Sequence, residues 1–428
     1  MRKLLFLTMV ALLSVGTLSA QTRVLRDARR ALQNNDFDEA RILVQRAAEH
    51  PQTANDPALW KLKGDIGNRV FDNEVVRGIQ GRSVRERQMF DGLFESFAPF
   101  LKADSLGQIP DANGRVRNPV RNDIASILRV NHMHFINGGI FFNERRDFAR
   151  AADFFEIFWN IPFLPMFEGS RDVFNFDETF QLIKYYAVIT ALQANQYPRA
   201  LAMMERILNE PFVPNEEYTE GDIFELKAST FLQLGDSVGF AQTIRTGAVR
   251  FPDNEFLVFN HLHRLITDDQ TQAAIDFINT AVEANPALFC DLISVKGNLL
   301  AEQGDLEGAD REFRRALAVS PHCERALESL ARSYIVHAQE LREDSWRLPR
   351  AEQVANDRLV LKSYQAALPL LTTLDEVMQA RSAPQQELNA VLLLLRNVYH
   401  NLTWLGENKS EQFEAINNRL PEDLQFRD

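Results

Sequence analysis

Beyond its first twenty residues, the sequence lacks any apolar run long enough to cross a membrane, and it lacks an excess of positive charge. With a formal net charge of −12, the chain would repel phosphate and gain nothing from counterion release, so nucleic acid is a poor partner. It also lacks HExxH, GxSxG, a phosphate-binding glycine loop and a dinucleotide fingerprint. We therefore predict no enzyme activity, no cofactor and no metal site.

The first twenty residues have the pattern of a secretory signal peptide. Arg2 and Lys3 precede an apolar run from Leu4 to Val15, and small residues follow as far as Ala20. Such a segment is removed on export. We expect cleavage near Ala20 and a mature chain without a membrane span; the alternative is an uncleaved anchor.

Residues 300–321, LAEQGDLEGADREFRRALAVSP, read as the end of one helix, a turn and a second helix. Gly304 and Asp305 suit the turn, because glycine adopts left-handed backbone angles at little cost. Ala309, Phe313 and Ala316 recur on one helical face, where small residues allow close approach and a bulky one fills the remaining gap. Pro321 ends the helix.

The same pattern recurs along the chain. Pro252, Pro286 and Pro321 are 34 and 35 residues apart, and each follows a helix-like stretch with small residues on one face. Further upstream, Pro51, Pro162 and Pro211 close similar stretches. Trp60 and Gly64 take first-helix positions near the start.

These residues resemble the tetratricopeptide repeat, a 34-residue pair of antiparallel helices, about seven times between residues 22 and 340. The resemblance implies an all-α fold, an α-solenoid that forms a right-handed superhelix with irregular insertions. The segments LKADSLGQIPDANGRV, RRDFARAADFFEIFWNIPFLPMF and RNVYHNLTWLGENKSEQFEAINNRL are similar to a narrower group, exported tetratricopeptide proteins of Bacteroidota-type bacteria.

The period also predicts the domain organisation. The expected segments are a signal peptide (1–20), N-terminal repeats with a long insertion (21–130), a central array (131–340) and a linker with C-terminal capping helices (341–428). Residues 66–130 are too long for one repeat, and 162–178 and 211–221 are further insertions. Residues 341–361 either extend the preceding helix or form a linker.

Two histidine pairs and one acidic loop are candidates for metal binding. His132 with His134, and His261 with His263, are two residues apart and cannot chelate from one helical face, so one histidine of each pair should be buried and the other solvated. Asp111, Asn113 and Gly114 only faintly resemble a calcium loop, and we read them as a turn.

Two further features leave alternatives open. Cys290 and Cys323 occupy similar places in adjacent repeats, where packed helices lie roughly 10 Å apart. That spacing favours two buried thiols, although the position of Cys323 after Pro321 would allow a disulfide. Phe163, Leu164, Met166 and Phe167 should pack back on the array; if exposed, they would form an interaction patch.

First helices of stacked pairs line the concave side of such an array. By this template the groove carries six residues of mixed polar, aromatic and charged type: Asn143, Tyr185, Ser229, His263, Asn298 and Arg332. They suit an extended protein or peptide partner, and we expect a non-catalytic scaffold in the periplasm or at the cell surface. The alternatives are a ligand-capture or hydrolytic protein that uses the loops at 104–122 and 162–178, and a structural subunit of a cell-envelope assembly.

Overall fold

The computed structural model describes residues 23–110, 112–345 and 347–426, apart from the side chain at position 344. The predicted signal peptide and Asp111 lie outside the described residues. The chain divides into two compact units, residues 1–223 and 224–428. In the described residues the structure is helical apart from turns and one isolated antiparallel bridge between Pro110 and Val116, which confirms the all-α prediction.

The helices of both units follow one another as antiparallel pairs. In the first unit they are α1 (23–33), α2 (Phe37–Ala48), α3 (Pro57–Ile79), α4 (Glu86–Gly107), α5 (Arg121–Glu144), α6 (Phe148–Asn160), α7 (Glu178–Gln193) and α8 (Tyr197–Asn209). Helix α9 (Glu220–Gln233) includes the boundary. The second unit continues with α10 (Ser237–Arg250), α11 (Glu255–Thr267), α12 (Thr271–Ala284), α13 (Phe289–Glu302), α14 (Leu306–Val319), α15 (Glu324–Ser345), α16 (Arg350–Ala380), α17 (Gln385–Trp404) and α18 (Ser410–Asn417).

Helices α1 to α14 form seven consecutive pairs, as the recurring pattern predicts. Helices α15 to α18 extend the series, and their apolar residues share one core. The solenoid architecture is thus confirmed as stacked helical hairpins within each unit, while the right-handed sense of the array stays a prediction.

A recurring turn joins the two helices of a pair. At Gly304 the backbone is left-handed, with φ of +85°, and the following Asp305 accepts a hydrogen bond from the Gly308 N–H at 2.8 Å. Asn35-Asp36, Arg146-Asp147 and Gly235-Asp236 repeat this geometry. The left-handed residue ends one helix and the aspartate caps the next, which fixes the hairpin locally.

The insertions also take defined structures. The excess length in residues 66–130 lies in two long helices, α3 and α4, and in a loop at 108–120. Arg121 closes that loop by donating two hydrogen bonds of 2.8 Å to Asp104. Residues 341–345 continue α15, and residues 350–361 begin α16.

The aromatic insertion after α6 forms three short 3₁₀ turns, Ile161–Phe163, Pro165–Phe167 and Arg171–Val173. Phe167 is buried, as the packing prediction requires, and it contacts the buried ring of Phe174 edge-on. Phe163 remains 36 % exposed and contacts Phe176 at the surface. Leu164 and Met166 are half-buried, so the four apolar residues pack back on the array only in part.

Among the described residues, the structure contains no helix that is both long enough and apolar enough to span a membrane.

Candidate functional site

The six residues predicted for the groove all lie on the first helix of a pair. They are placed on α5, α7, α9, α11, α13 and α15, respectively. Asn143, Ser229, His263 and Arg332 are exposed, whereas Tyr185 and Asn298 are half-buried. The structure brings two of them together, because Asn298 and Arg332 line the same cleft.

Tyr185 has a different environment. Its ring stacks on Tyr218 with centroids 4.4 Å apart, and Tyr218 belongs to the inserted segment before α9. The Tyr218 hydroxyl donates to the Gln181 carbonyl oxygen at 2.9 Å, which holds the segment against α7. Burial raises the pKa of Tyr218, so this hydroxyl stays protonated and keeps donating. The insertion thus covers part of the face on which Tyr185 lies.

The cleft that contains Asn298 and Arg332 is formed by the end of α13, the start of α14 and the middle of α15. Its volume of about 810 Å³ lies in the range of about 300–1,000 Å³ that is typical of ligand sites. Phe313 lies behind it, fully buried against Gly297. The cleft walls are therefore regular helices, which place their side chains rigidly.

Apolar side chains reach the cleft surface. Leu306 at the start of α14 is 54 % exposed and Val336 on α15 is 49 % exposed. Ala301 on α13 contributes a smaller half-buried surface. Residues of this kind can bury apolar groups of a partner, at about 25 cal/mol for each Å² removed from water.

One side of the cleft is held by a polar network. Arg314 donates to Asp310 at 2.6 Å and also to the Tyr334 hydroxyl, which in turn donates to Asp310 at 3.2 Å. Burial and the charge of Asp310 raise the pKa of Tyr334, so the phenol is neutral at ordinary pH. The network fixes the rotamer of Tyr334 between α14 and α15.

The two arginines of the cleft have acidic neighbours on their own helices. Arg332 donates to Glu328 at 2.8 Å, and Arg311 lies 4.0 Å from Glu307. Their charges are thereby offset at short range.

Several polar side chains of the cleft have no such neighbour. Among the described residues, no hydrogen-bond or ion-pair partner is found for the side chains of Asn298, Glu302, Ser329, Ser333, His337 and Glu340. They offer donors and acceptors on α13 and α15 to a bound molecule. Most of these positions were not predicted from the sequence, yet the sequence contains a signal for them. Ser329, Arg332, Val336 and Glu340 recur at three- and four-residue steps on α15 and therefore share one face of the helix.

Three of the four histidines in the predicted pairs pack against aromatic rings. His132 is buried, its Nε2 lies 2.9 Å from the Phe158 carbonyl oxygen, and its ring stacks on Phe158 at 4.1 Å. Burial lowers the pKa of His132 to about 4. His134 is half-buried beside Phe71, and His261 beside Phe277, while His263 is exposed. In the described parts of the chain, no three His, Cys, Asp or Glu side chains converge to hold a metal ion.

Cys290 and Cys323 form a disulfide with Cα atoms 5.9 Å apart, so the preference for two buried thiols is wrong. The distance between packed helices does not apply to these two cysteines, because Cys323 lies in the turn before α15 and not within that helix. Its N–H donates to the Ser320 carbonyl at 3.0 Å, and this turn brings it to the start of α13. The bond therefore ties together α13 and α15, two of the three helices that form the cleft.

Residues 295–342, which include most of the cleft, match the family model of the tetratricopeptide repeat. Comparison with curated proteins gives no match.

Several solved structures are similar. The C-terminal part of a TPR repeat-containing protein from Cytophaga hutchinsonii is 11 % identical over 67 % of this chain and 99 % of its own, with a TM-score of 0.31. A tetratricopeptide repeat protein from Parabacteroides merdae is 11 % identical over 68 % and 98 %, with a TM-score of 0.29. YrrB, described as a TPR protein with an unusual peptide-binding site, is 15 % identical over 49 % and 96 %, also at 0.29. Values this low say nothing of what this chain binds.

Proposed function

Because this chain is a tetratricopeptide repeat protein, we propose that it is a non-catalytic scaffold that binds a segment of another protein in the cleft between α13, α14 and α15. One observation carries the proposal: this cleft combines exposed apolar side chains with polar side chains that have no partner among the described residues. An extended polypeptide needs both, because its backbone requires hydrogen-bond partners and its side chains require apolar contacts.

We further propose that the scaffold is exported and acts in the periplasm or at the cell surface. The support is the basic start, the apolar run from Leu4 to Val15 and the small residues before position 20. The disulfide is compatible with an oxidising compartment, where such bonds persist.

The test is site-specific crosslinking in living cells. A photo-crosslinking residue replaces Ser333 in the cleft or, as a matched control, Glu283, an exposed residue on α12. We expect a defined polypeptide adduct from position 333 alone, and we expect Asn298→Ala with Arg332→Ala to reduce it. Identical adducts from both positions, or none from position 333, would contradict a binding cleft.

The other two hypotheses predict different results. A structural subunit would run as a stoichiometric complex in native gels, unaffected by substitutions in the cleft. A hydrolytic or ligand-capture protein would need reactive groups in the loops at 104–122 and 162–178. In the structure, Asp104 is bound by Arg121 and Asn118, and Phe174 packs on His132. These contacts stabilise the loops, so the scaffold remains the function that the structure supports best.

A further inference from the structure

The cleft between α13, α14 and α15 has unequal charges. Its lining includes four carboxylates, on Glu302, Glu307, Asp310 and Glu340, against the two arginines described above. Each arginine has a carboxylate on its own helix within 4.0 Å, so neither presents an unopposed positive charge. Glu302 and Glu340 have no cationic neighbour among the described side chains. The cleft therefore presents two uncompensated negative charges beside an apolar surface.

The apolar surface is close to these carboxylates in the chain and in the fold. Val336 lies one helical turn before Glu340 on α15, and Leu306 follows Glu302 across the turn from α13 to α14. An occupant that uses the whole cleft therefore meets both apolar and anionic groups.

We infer that the occupant of this cleft is a polypeptide segment that combines lysine or arginine with leucine-like side chains. This inference rests on the proposed function and specifies its partner. The cationic groups would pair with Glu302 and Glu340, while the apolar side chains would cover Leu306 and Val336. Complementary charge guides encounter and excludes wrong partners, because an acidic segment would place like charges together. The chain itself carries a net charge of −12, which disfavours a second copy as the occupant.

The charge arm of the test uses the full chain and labelled peptides of equal length. Each peptide has leucine at the same positions and either lysine, glutamate or serine at all others, and binding is followed by fluorescence anisotropy. We expect the lysine peptide to bind most tightly and to weaken as salt is added. Glu302→Gln with Glu340→Gln should weaken it roughly fivefold, since each exposed pair contributes a modest amount.

A matched control removes the same charge elsewhere. Glu283 and Glu414 are exposed, and no side-chain partner is found for either among the described residues. Glu283→Gln with Glu414→Gln should leave the affinity unchanged. An equal loss in both double variants would show long-range attraction by net charge and would overturn the assignment to the cleft. Tighter binding of the glutamate peptide would overturn it as well.

The apolar arm separates failure of this inference from failure of the proposed function. Leu306→Ala with Val336→Ala should weaken the lysine and serine peptides alike, by roughly tenfold for the apolar area lost. If these substitutions change no peptide's affinity, the cleft is not a binding site and both proposals fail. If they weaken binding but the charge substitutions do not, the cleft binds protein and only the cationic preference is wrong. Sedimentation tests for a second copy as the occupant. A dimer of the unaltered chain that is lost in the variant with Leu306→Ala and Val336→Ala would identify that second copy instead.

Discussion

The ring of Phe313 fills the space that Gly297 leaves open: a Cβ atom at position 297 would lie closer than 3.0 Å to three of its ring carbons. Gly64 with Phe100 repeats the relationship, as does Gly139 with Phe155. In each case a glycine on the first helix of a pair faces a phenylalanine on the second. The glycine therefore sets how closely the two helices of a repeat approach.

Gly297→Ala should destabilise the second unit. A methyl group in this contact forces Phe313 to move, which costs about 1–3 kcal/mol, while the gain in helix propensity is only about 1 kcal/mol. Urea unfolding should show a net loss of up to about 2 kcal/mol in the free energy of unfolding. Phe313→Leu should relieve the overlap, so the double variant should lose less than the sum of the single losses. Strict additivity would mean that the two residues are not in contact.

Loss of the disulfide should loosen the region around α13, α14 and α15. The bond closes a loop with a sequence separation of 33 residues, for which chain entropy predicts a contribution of about 3–4 kcal/mol. Cys290→Ser with Cys323→Ser should therefore raise the rate of amide hydrogen exchange in these helices. Adding reductant to the unaltered chain should raise it in the same way. Reductant should have no further effect on the double variant. Equal exchange in the oxidised and reduced chains would show that the bond adds no stability.

The repeat itself was predictable from sequence because its signals are local. Ala309, Phe313 and Ala316 are buried as their spacing predicts, and the turn forms at Gly304-Asp305. Helical period, turn residues and proline stops all act within one repeat.

The remaining features depend on segments without that period. The insertion that places Tyr218 on Tyr185 has no counterpart in other repeats, so its path could not be inferred from them. Glu340 joins the cleft because α15 continues beyond the expected turn. The disulfide depends on the path of one turn, and helix spacing does not predict it.

Stability of the first unit should fall as pH decreases from about 6.5 to about 4. His132 has a pKa lowered to about 4 in the folded chain by burial, against 6.5 in the unfolded chain. Between these values the unfolded chain binds a proton that the folded chain does not, so stability is complete above pH 6.5 and decreases below it. The loss should approach about 3 kcal/mol near pH 4.

His132→Gln should flatten this part of the pH profile, because glutamine retains a donor for the Phe158 carbonyl and does not titrate. His263→Gln, a control at an exposed position, should leave the slope unchanged; a flattening in both would assign the effect to other groups.

Glu210 should be more important for stability than its position at the end of α8 implies. It accepts hydrogen bonds from Lys184 at 2.8 Å, Arg206 at 2.7 Å and the indole of Trp159 at 3.0 Å. Burial alone would raise the pKa of Glu210, but the hydrogen bonds from Lys184 and Arg206 outweigh it and lower the pKa.

Glu210→Gln would leave the ammonium group of Lys184, whose side chain is only 5 % exposed, without its counter-charge. Removing one partner of a buried pair costs about 3–5 kcal/mol. Because Glu210 is partly exposed and glutamine can still accept, we expect urea unfolding of the full chain to show a loss of about 3 kcal/mol in the free energy of unfolding. Lys184→Met with Glu210→Gln should recover part of that loss, since methionine removes the uncompensated charge and fills a similar volume. If the double variant were less stable than Glu210→Gln alone, the unpaired ammonium group of Lys184 would not be the cause of the loss.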